Sequence, residues 1–194
     1  MRARVERPQV VAHRGASERV AEHTLGAYLE PLDAGADGLE CDVRLTSDGH
    51  LVCFHDRDTR RTGRRKGLVS TMELADLDQL EFASWKNPWA DLDDEAPDRD
   101  EELDRVLTLR KLCEVVADHD RRIELAIETK HPTRYGALVE KRLVEQLRHF
   151  GWDRPGGPAR VRPGRRLLRQ RARLWRGRGR RGTGPGTRGE VGLR

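Results

Sequence analysis

Long apolar runs are missing from this 194-residue chain. No stretch approaches the roughly 18 consecutive apolar residues of a membrane span. Met1-Arg2-Ala3-Arg4 leads only into Val10-Val11-Ala12, which is too short for the apolar region of a signal peptide. A soluble, cytoplasmic protein is the expectation. Cysteine is scarce too. Cys41, Cys53 and Cys113 lie too far apart for a CxxC metal site or a disulfide framework, so they read as reduced, partly buried thiols. The length fits one domain.

Charge is what the chain has in quantity, at 37% of residues, and the mean hydropathy is −0.81. The net charge of +5 averages two unlike regions. Residues 153–194 hold 14 Arg against Asp153 and Glu190 alone, a local +12, so the first 152 residues carry −7. A modestly acidic domain followed by a basic tail is a different object from a basic nucleic-acid binder.

Within the first 152 residues the apolar pattern alternates between strand and helix periods. Residues 10–16 read as a short buried strand, and Thr24–Ala34 as a helix with Thr24 as N-cap and Gly35 closing it. Pro31 conflicts with that helix. Gly38–Leu45 alternates with period 2, Ser47-Asp48-Gly49 forms a turn, and His50–His55 is extended again. Glu40 and Asp42 then share one face, with Cys41 and Val43 on the other. Arg57–Lys66 holds six basic residues in ten and Asp91–Arg105 nine acidic residues in fifteen, so both read as insertions. Between them Thr71–Leu80 suits a short helix capped by Thr71. Thr108–Ala117 is an amphipathic helix, Arg122–Thr129 a strand, and Thr133–Phe150 a helix begun after Pro132. Repeated strand–helix units imply a parallel sheet.

The polar residues fall at strand ends: His13-Arg14 on the first strand, Glu40 and Asp42 on the second, His55 on the extended arm, Glu128 and Lys130 on the third. Singly, each has a bland reading. Glu40-x-Asp42 is commonly a solvated or salt-bridged face, Glu128-x-Lys130 a cross-strand ion pair, and a lone histidine a satisfied structural one. Together they sit at the rim where parallel barrels converge catalytic groups. Three carboxylates at one rim call for a cation, and hard oxygen ligands suit Ca²⁺ or Mg²⁺ better than zinc. Two histidines could then act as acid and base, with Arg14 and Lys130 supplying charge for a phosphate ester. Arg57–Lys66 reads as a solvated loop.

These pieces, with Gly15-Ala16, Glu22-His23-Thr24, Gly35–Val43, Thr46–Gly49, His55-Asp56, Phe82–Trp85, Leu107–Leu109 and Glu128-Thr129-Lys130, resemble the glycerophosphodiester phosphodiesterases over about residues 9–152. The resemblance implies hydrolysis of a small-molecule glycerophosphodiester to glycerol 3-phosphate and an alcohol, a step of lipid metabolism. It assigns His13 and His55 as the acid/base pair, Glu40, Asp42 and Glu128 as ligands of a divalent metal, and Arg14 and Lys130 as phosphate ligands. Where the family commonly has Pro-Glu-Asn-Thr, this chain has Ala21-Glu22-His23-Thr24, and His23 reads as structural.

The implied fold is a (β/α)8 TIM-type barrel of about 250 residues, yet only three barrel strands precede Gly151. Residues 153–194 hold 14 Arg, 10 Gly and 4 Pro without apolar periodicity. The expectation is therefore an incomplete barrel of about three strands plus an insertion over 1–152, then a disordered basic tail. Pro158–Arg162 still looks like the entry to a fourth strand, so the tail reads as translated out of frame from near Arg162. Turnover should then be low. Alternatives are a non-catalytic phosphate-binding fragment or an Arg/Gly-rich nucleic-acid binder. With Trp175 as the tail's only aromatic, no specific nucleic acid is expected.

Overall fold

The period-2 run at 38–45 becomes the strand around which the sheet is assembled. In the computed structural model, which describes residues 8–86, 100–131 and 134–163, the strands are β1 (Val11–His13), β2 (Gly38–Leu45), β3 (Leu51–Cys53), β4 (Glu124–Thr129) and β5 (Ala159–Pro163). β1, β2, β4 and β5 lie side by side in that order and run parallel, while β3 returns antiparallel on the far end of β2. The helices are α1 (Leu25–Asp33), α2 (Leu74–Asp78), α3 (Glu101–Asp104), α4 (Leu109–Asp118) and α5 (Leu138–His149). The alternation of parallel strands with helices is that of an α/β barrel wall. No helix among the described residues is long and apolar enough to cross a membrane.

One face of the sheet is apolar. Leu39, Cys41 and Val43 of β2 and Leu125 and Ile127 of β4 are fully buried against Tyr28 and Leu32 of α1, Leu109, Leu112 and Cys113 of α4, and Leu143 of α5. Each such Leu or Ile contributes roughly 1.5–3 kcal/mol relative to exposure. All three cysteines are buried free thiols, and burial pushes Cys113 up to about 12. A second cluster of Val52, Phe54, Val69, Leu77, Leu80 and Phe82 anchors the loop that follows β3.

Thr24 caps α1 as expected, its side chain accepting from the Ala27 N–H. Pro31 is accommodated inside the helix because the carbonyl it leaves unpaired, that of Ala27, accepts from the Ala16 N–H at 2.7 Å. The helix ends in a Schellman pattern: Gly35, at φ +87°, donates to Leu32 and Ala36 donates to Pro31.

Other expectations moved. Thr71 is not a helix cap. It lies in a 3₁₀ turn over Val69–Thr71, and α2 starts at Leu74 from a Glu73–Asp76 capping box, with Asp48 also accepting from the Leu74 N–H. The helix begun after Pro132 starts instead at Leu138, because Gly136 takes φ +56° and breaks the approach; residues 132 and 133 lie outside the described residues. The sheet passes the expected boundary at 152, since the fourth-strand entry forms β5 on β4. Of the expected insertion at 91–105, residues 91–99 lie outside the described residues and 101–104 form the short helix α3; of the expected tail at 153–194, residues 164–194 lie outside the described residues.

Gly15 fixes how β1 turns toward α1. Its φ is +82°, and a Cβ there would stand 2.3 Å from the Ala27 carbonyl oxygen, the same carbonyl that compensates for Pro31. Gly15→Ala is expected to destabilise the fold by roughly 2–3 kcal/mol, read from the urea unfolding midpoint. An unchanged midpoint would show that the loop relaxes away from α1.

Candidate active site

The face of the sheet opposite the core carries the carboxylates. The parallel register sets Asp42 beside Glu128 and His13 beside Glu40, so the period-2 spacing of Glu40 and Asp42 and the neighbouring strand bring three acids to one end of the sheet. One oxygen from each of Glu40, Asp42 and Glu128 lies within 4.8 Å of the others.

Asp42 is the deepest of them, at 1% exposed. A carboxylate taken out of water needs compensating charge and hydrogen bonds, and three groups provide them. The Lys130 ammonium is 2.8 Å from Oδ1, and Arg14 Nε and His23 Nε2 are each 3.1 Å from Oδ2. Burial alone would raise Asp42, but hydrogen bonds from His23 and Lys130 together outweigh it and hold the carboxyl well below the usual range. Glu40 is shifted the other way, raised by its burial and by the Asp42 charge. Lys130 also reaches Glu128 at 2.9 Å. Burial would lower its ammonium, but Asp42 and Glu128 prevail and raise it.

His23 is buried and receives its orientation from a second partner. Its Nδ1 is 2.7 Å from the Tyr28 hydroxyl, while burial lowers its pKa. A neutral imidazole facing a carboxylate must carry its proton on Nε2. Tyr28 then donates to Nδ1, and the Glu40 carbonyl, also near that hydroxyl, accepts from the Arg14 N–H at 3.1 Å. Arg14 and His23 both hold left-handed backbone, φ +58° and +64°, and the His23 N–H donates to the Arg14 carbonyl. Strain of this kind, on the order of 1 kcal/mol or more per residue, persists where surrounding structure over-determines it.

A charge chain continues from Arg14 to the extended arm. Arg14 meets Glu22 at 3.3 Å, Glu22 receives the Arg61 guanidinium at 2.5 and 3.2 Å, Arg61 reaches Asp56 at 2.6 Å, and Asp56 holds His55 Nδ1 at 2.8 Å. The Arg61 guanidinium also stacks 5.2 Å from the Trp85 ring. Burial would raise Glu22 and Asp56, yet Arg61 and their other hydrogen-bond and charge partners bring both below their ordinary values.

Five of the seven residues singled out from sequence, Arg14, Glu40, Asp42, Glu128 and Lys130, thus gather at one end of the sheet. His13 stands at the edge of that group, 69% exposed and 3.8 Å from Glu40. His55 joins it through Asp56, Arg61 and Glu22. The sequence reading left out Glu22, Tyr28 and Arg61, and took His23 as structural. The altered Glu22-His23-Thr24 tract was a signal for His23. Arg61 had none, since its partner Glu22 is 39 residues away and five other basic residues surround it.

Residues 13–161 match the model of the Glycerophosphoryl diester phosphodiesterase family. The chain belongs to this family. It is 50% identical over 155 residues to a Mycobacterium tuberculosis protein named "Probable glycerophosphodiester phosphodiesterase 1", covering 80% of this chain and 54% of that one. It is 33% identical to the glycerophosphodiester phosphodiesterase of Bacillus subtilis, covering 80% and 51%. Among solved structures, an Oleispira antarctica phosphodiesterase in complex with the product sn-glycerol-3-phosphate aligns with TM-score 0.67 at 28% identity, covering 88% and 63%. The glycerophosphodiester phosphodiesterase of Agrobacterium tumefaciens aligns with TM-score 0.63 at 25% identity, covering 84% and 60%. The chain spans about half the length of the curated relatives it matches.

The charge arrangement of this phosphodiesterase-family chain gives a pH signature. Asp42, Glu22 and Asp56 titrate below their ordinary values when folded. A depressed carboxylate contributes stability that is present above its unfolded value and is lost as pH falls through the folded one. Glu40, raised when folded, has the opposite sign. In chelator, the thermal unfolding midpoint is expected to fall from about pH 4 toward about pH 2, and Asp42→Asn is expected to flatten that fall. A variant whose midpoint declines as steeply as the wild type would show that Asp42 is not the group responsible.

Proposed function

We propose that the chain carries the metal- and phosphate-binding half of an enzyme that hydrolyses glycerophosphodiesters to glycerol 3-phosphate and an alcohol. The observation that carries this reading is the cluster in which one ammonium, that of Lys130, contacts Asp42 and Glu128 together at 2.8 and 2.9 Å. Those oxygens are placed to share a cation.

A divalent metal fits the donor set: three carboxylates and no thiolate or clustered imidazole, the chemistry of Ca²⁺ or Mg²⁺. Glu40, Asp42 and Glu128 would hold it, and bound there it would supply Lewis-acid polarisation of a phosphoryl oxygen. Arg14 and Lys130 face the same cluster and would bind the phosphate, Arg14 through its fork of donors. His55, with Nδ1 held by Asp56, presents Nε2 as a proton acceptor. His13, exposed beside Glu40, is free to give a proton to the departing alcohol. His23 and Tyr28 act behind the site by fixing the Asp42 carboxylate. The Oleispira antarctica enzyme, solved with sn-glycerol-3-phosphate, supports the product assignment.

Hydrolysis of glycerophosphocholine with Ca²⁺ or Mg²⁺, followed by release of glycerol 3-phosphate, tests this in a chain joined to the remaining half of the Mycobacterium tuberculosis relative. His13→Ala, His55→Ala and Glu40→Gln are each expected to lower kcat by about 100-fold or more. Full activity in any of the three would remove that residue from its role.

We propose further that the described sheet alone turns over slowly. β1 and β5 are its outer strands, each with one neighbour among the described residues, and Val11 and Val161 are exposed at 46% and 37%. Among the described residues, nothing pairs the outer edge of either strand, and about 1 Å of misplacement at the rim can cost on the order of 100-fold. The chain as given is expected to hydrolyse glycerophosphocholine at least about 100-fold more slowly than the joined form; equal rates per mole of soluble protein would contradict this.

A further inference from the structure

Beside the carboxylate cluster lies a cavity of about 130 Å³, lined by Arg44 at the end of β2, Arg57 and Ser70 of the loop after β3, and Lys130, Arg134 and Tyr135 between β4 and α5. Its volume is far above the ~10–15 Å³ that a single water requires. Its walls are tied together, because the Tyr135 hydroxyl donates to the Ser70 carbonyl at 2.6 Å. Among the described residues, four cationic side chains line it and no acidic one does.

The positive charge there is poorly matched. Lys130 has Asp42 and Glu128. Arg44 is turned onto a neutral acceptor, the His55 carbonyl, at 2.8 and 3.0 Å. Arg57 and Arg134 are exposed, and neither forms an ion pair with a carboxylate among the described residues. Preformed guanidinium groups around an open volume are the arrangement that binds a phosphate or carboxylate by charge-assisted, forked hydrogen bonds. Arg61, from the same basic run, is by contrast already held by Glu22 and Asp56.

We propose that this cavity binds a second anionic group, a phosphate or carboxylate, carried on the alcohol part of the diester. Lys130 lines both the cavity and the carboxylate cluster, so a molecule with its diester phosphate at the cluster can place a further anion against Arg44, Arg57 and Arg134. The glycerol half of a glycerophosphodiester bears no charge beyond the diester, so the alcohol is the part that can carry that anion. The substrate class is then glycerophosphodiesters with an anionic alcohol, in preference to zwitterionic ones such as glycerophosphocholine. This rests on the function proposed above.

The test uses the full chain in chelator, so that it reads the cavity separately from metal-dependent turnover. Inorganic phosphate is titrated calorimetrically into the wild type, into Arg57→Gln/Arg134→Gln, and into Arg110→Gln/Arg148→Gln, which removes the same charge from exposed arginines elsewhere. Saturable binding by the wild type, weakened at least about tenfold in the first double variant and retained in the second, is expected. No saturable binding, or equal loss in both variants, overturns the site. A second arm compares glycerophosphoinositol 4-phosphate with glycerophosphocholine. The wild type is expected to favour the former at least about tenfold, with the ratio falling toward one in Arg57→Gln/Arg134→Gln. If phosphate binds but the two diesters bind alike, the cavity takes a free anion and the assignment of substrate class fails. Loss of hydrolysis with these binding results intact would instead count against the proposed function alone.

Discussion

A negative charge buried midway along β2 organises this molecule. Asp42 is almost wholly removed from water, which on its own would favour the protonated acid. The structure keeps it ionised by bringing Lys130 from just after β4, Arg14 from the turn after β1, and His23 from the segment before α1 into contact with its two oxygens. Removing any one partner leaves charge uncompensated in a poorly solvated place, so the three segments are coupled energetically through a single side chain.

That coupling accounts for features that look costly in isolation. Left-handed backbone at Arg14 and His23 aims a guanidinium and an imidazole at the same carboxylate. Tyr28, buried in the core, holds Nδ1 of His23 with its hydroxyl, while the Asp42 carboxylate on the other side of the ring fixes the tautomer. Core and site therefore meet through one ring. On the outer side, Glu22 and Arg61 extend the charge pattern to Asp56 and His55, which links the loop after β3 to the turn after β1. The loop is held there by its own small core beneath Phe54 and Phe82, which meet edge to face at 5.6 Å.

Much of the framework was legible because it rests on local rules. Thr24 as N-cap, Gly35 as the helix stop and the alternation through 38–45 each depend on a residue and its close neighbours. The shared face of Glu40 and Asp42 followed from the same alternation, but their expected place at the strand end did not, since β2 continues to Leu45. What escaped was long-range or depended on competing local signals. Thr71 and Glu73 both offer cap chemistry, and the capping box with Asp76 decided between them. Nothing near Arg61 in sequence tells it from Arg60 or Arg64; only the fold brings Glu22 and Trp85 to it. His23 departed visibly from the resembling pattern, but its pairing with Asp42 required Tyr28 and β2 to be placed first.

The account stands on Asp42 being the centre of a cation site. Calorimetric titration of the chain with Ca²⁺ and with Mg²⁺ at neutral pH, for the wild type and for Asp42→Asn with folding checked by circular dichroism, tests this most directly. One divalent ion per wild-type chain is predicted for at least one of the two metals, with affinity reduced by about 100-fold in the folded variant. A wild type that binds neither metal, or a variant that binds as tightly as the wild type, would contradict it.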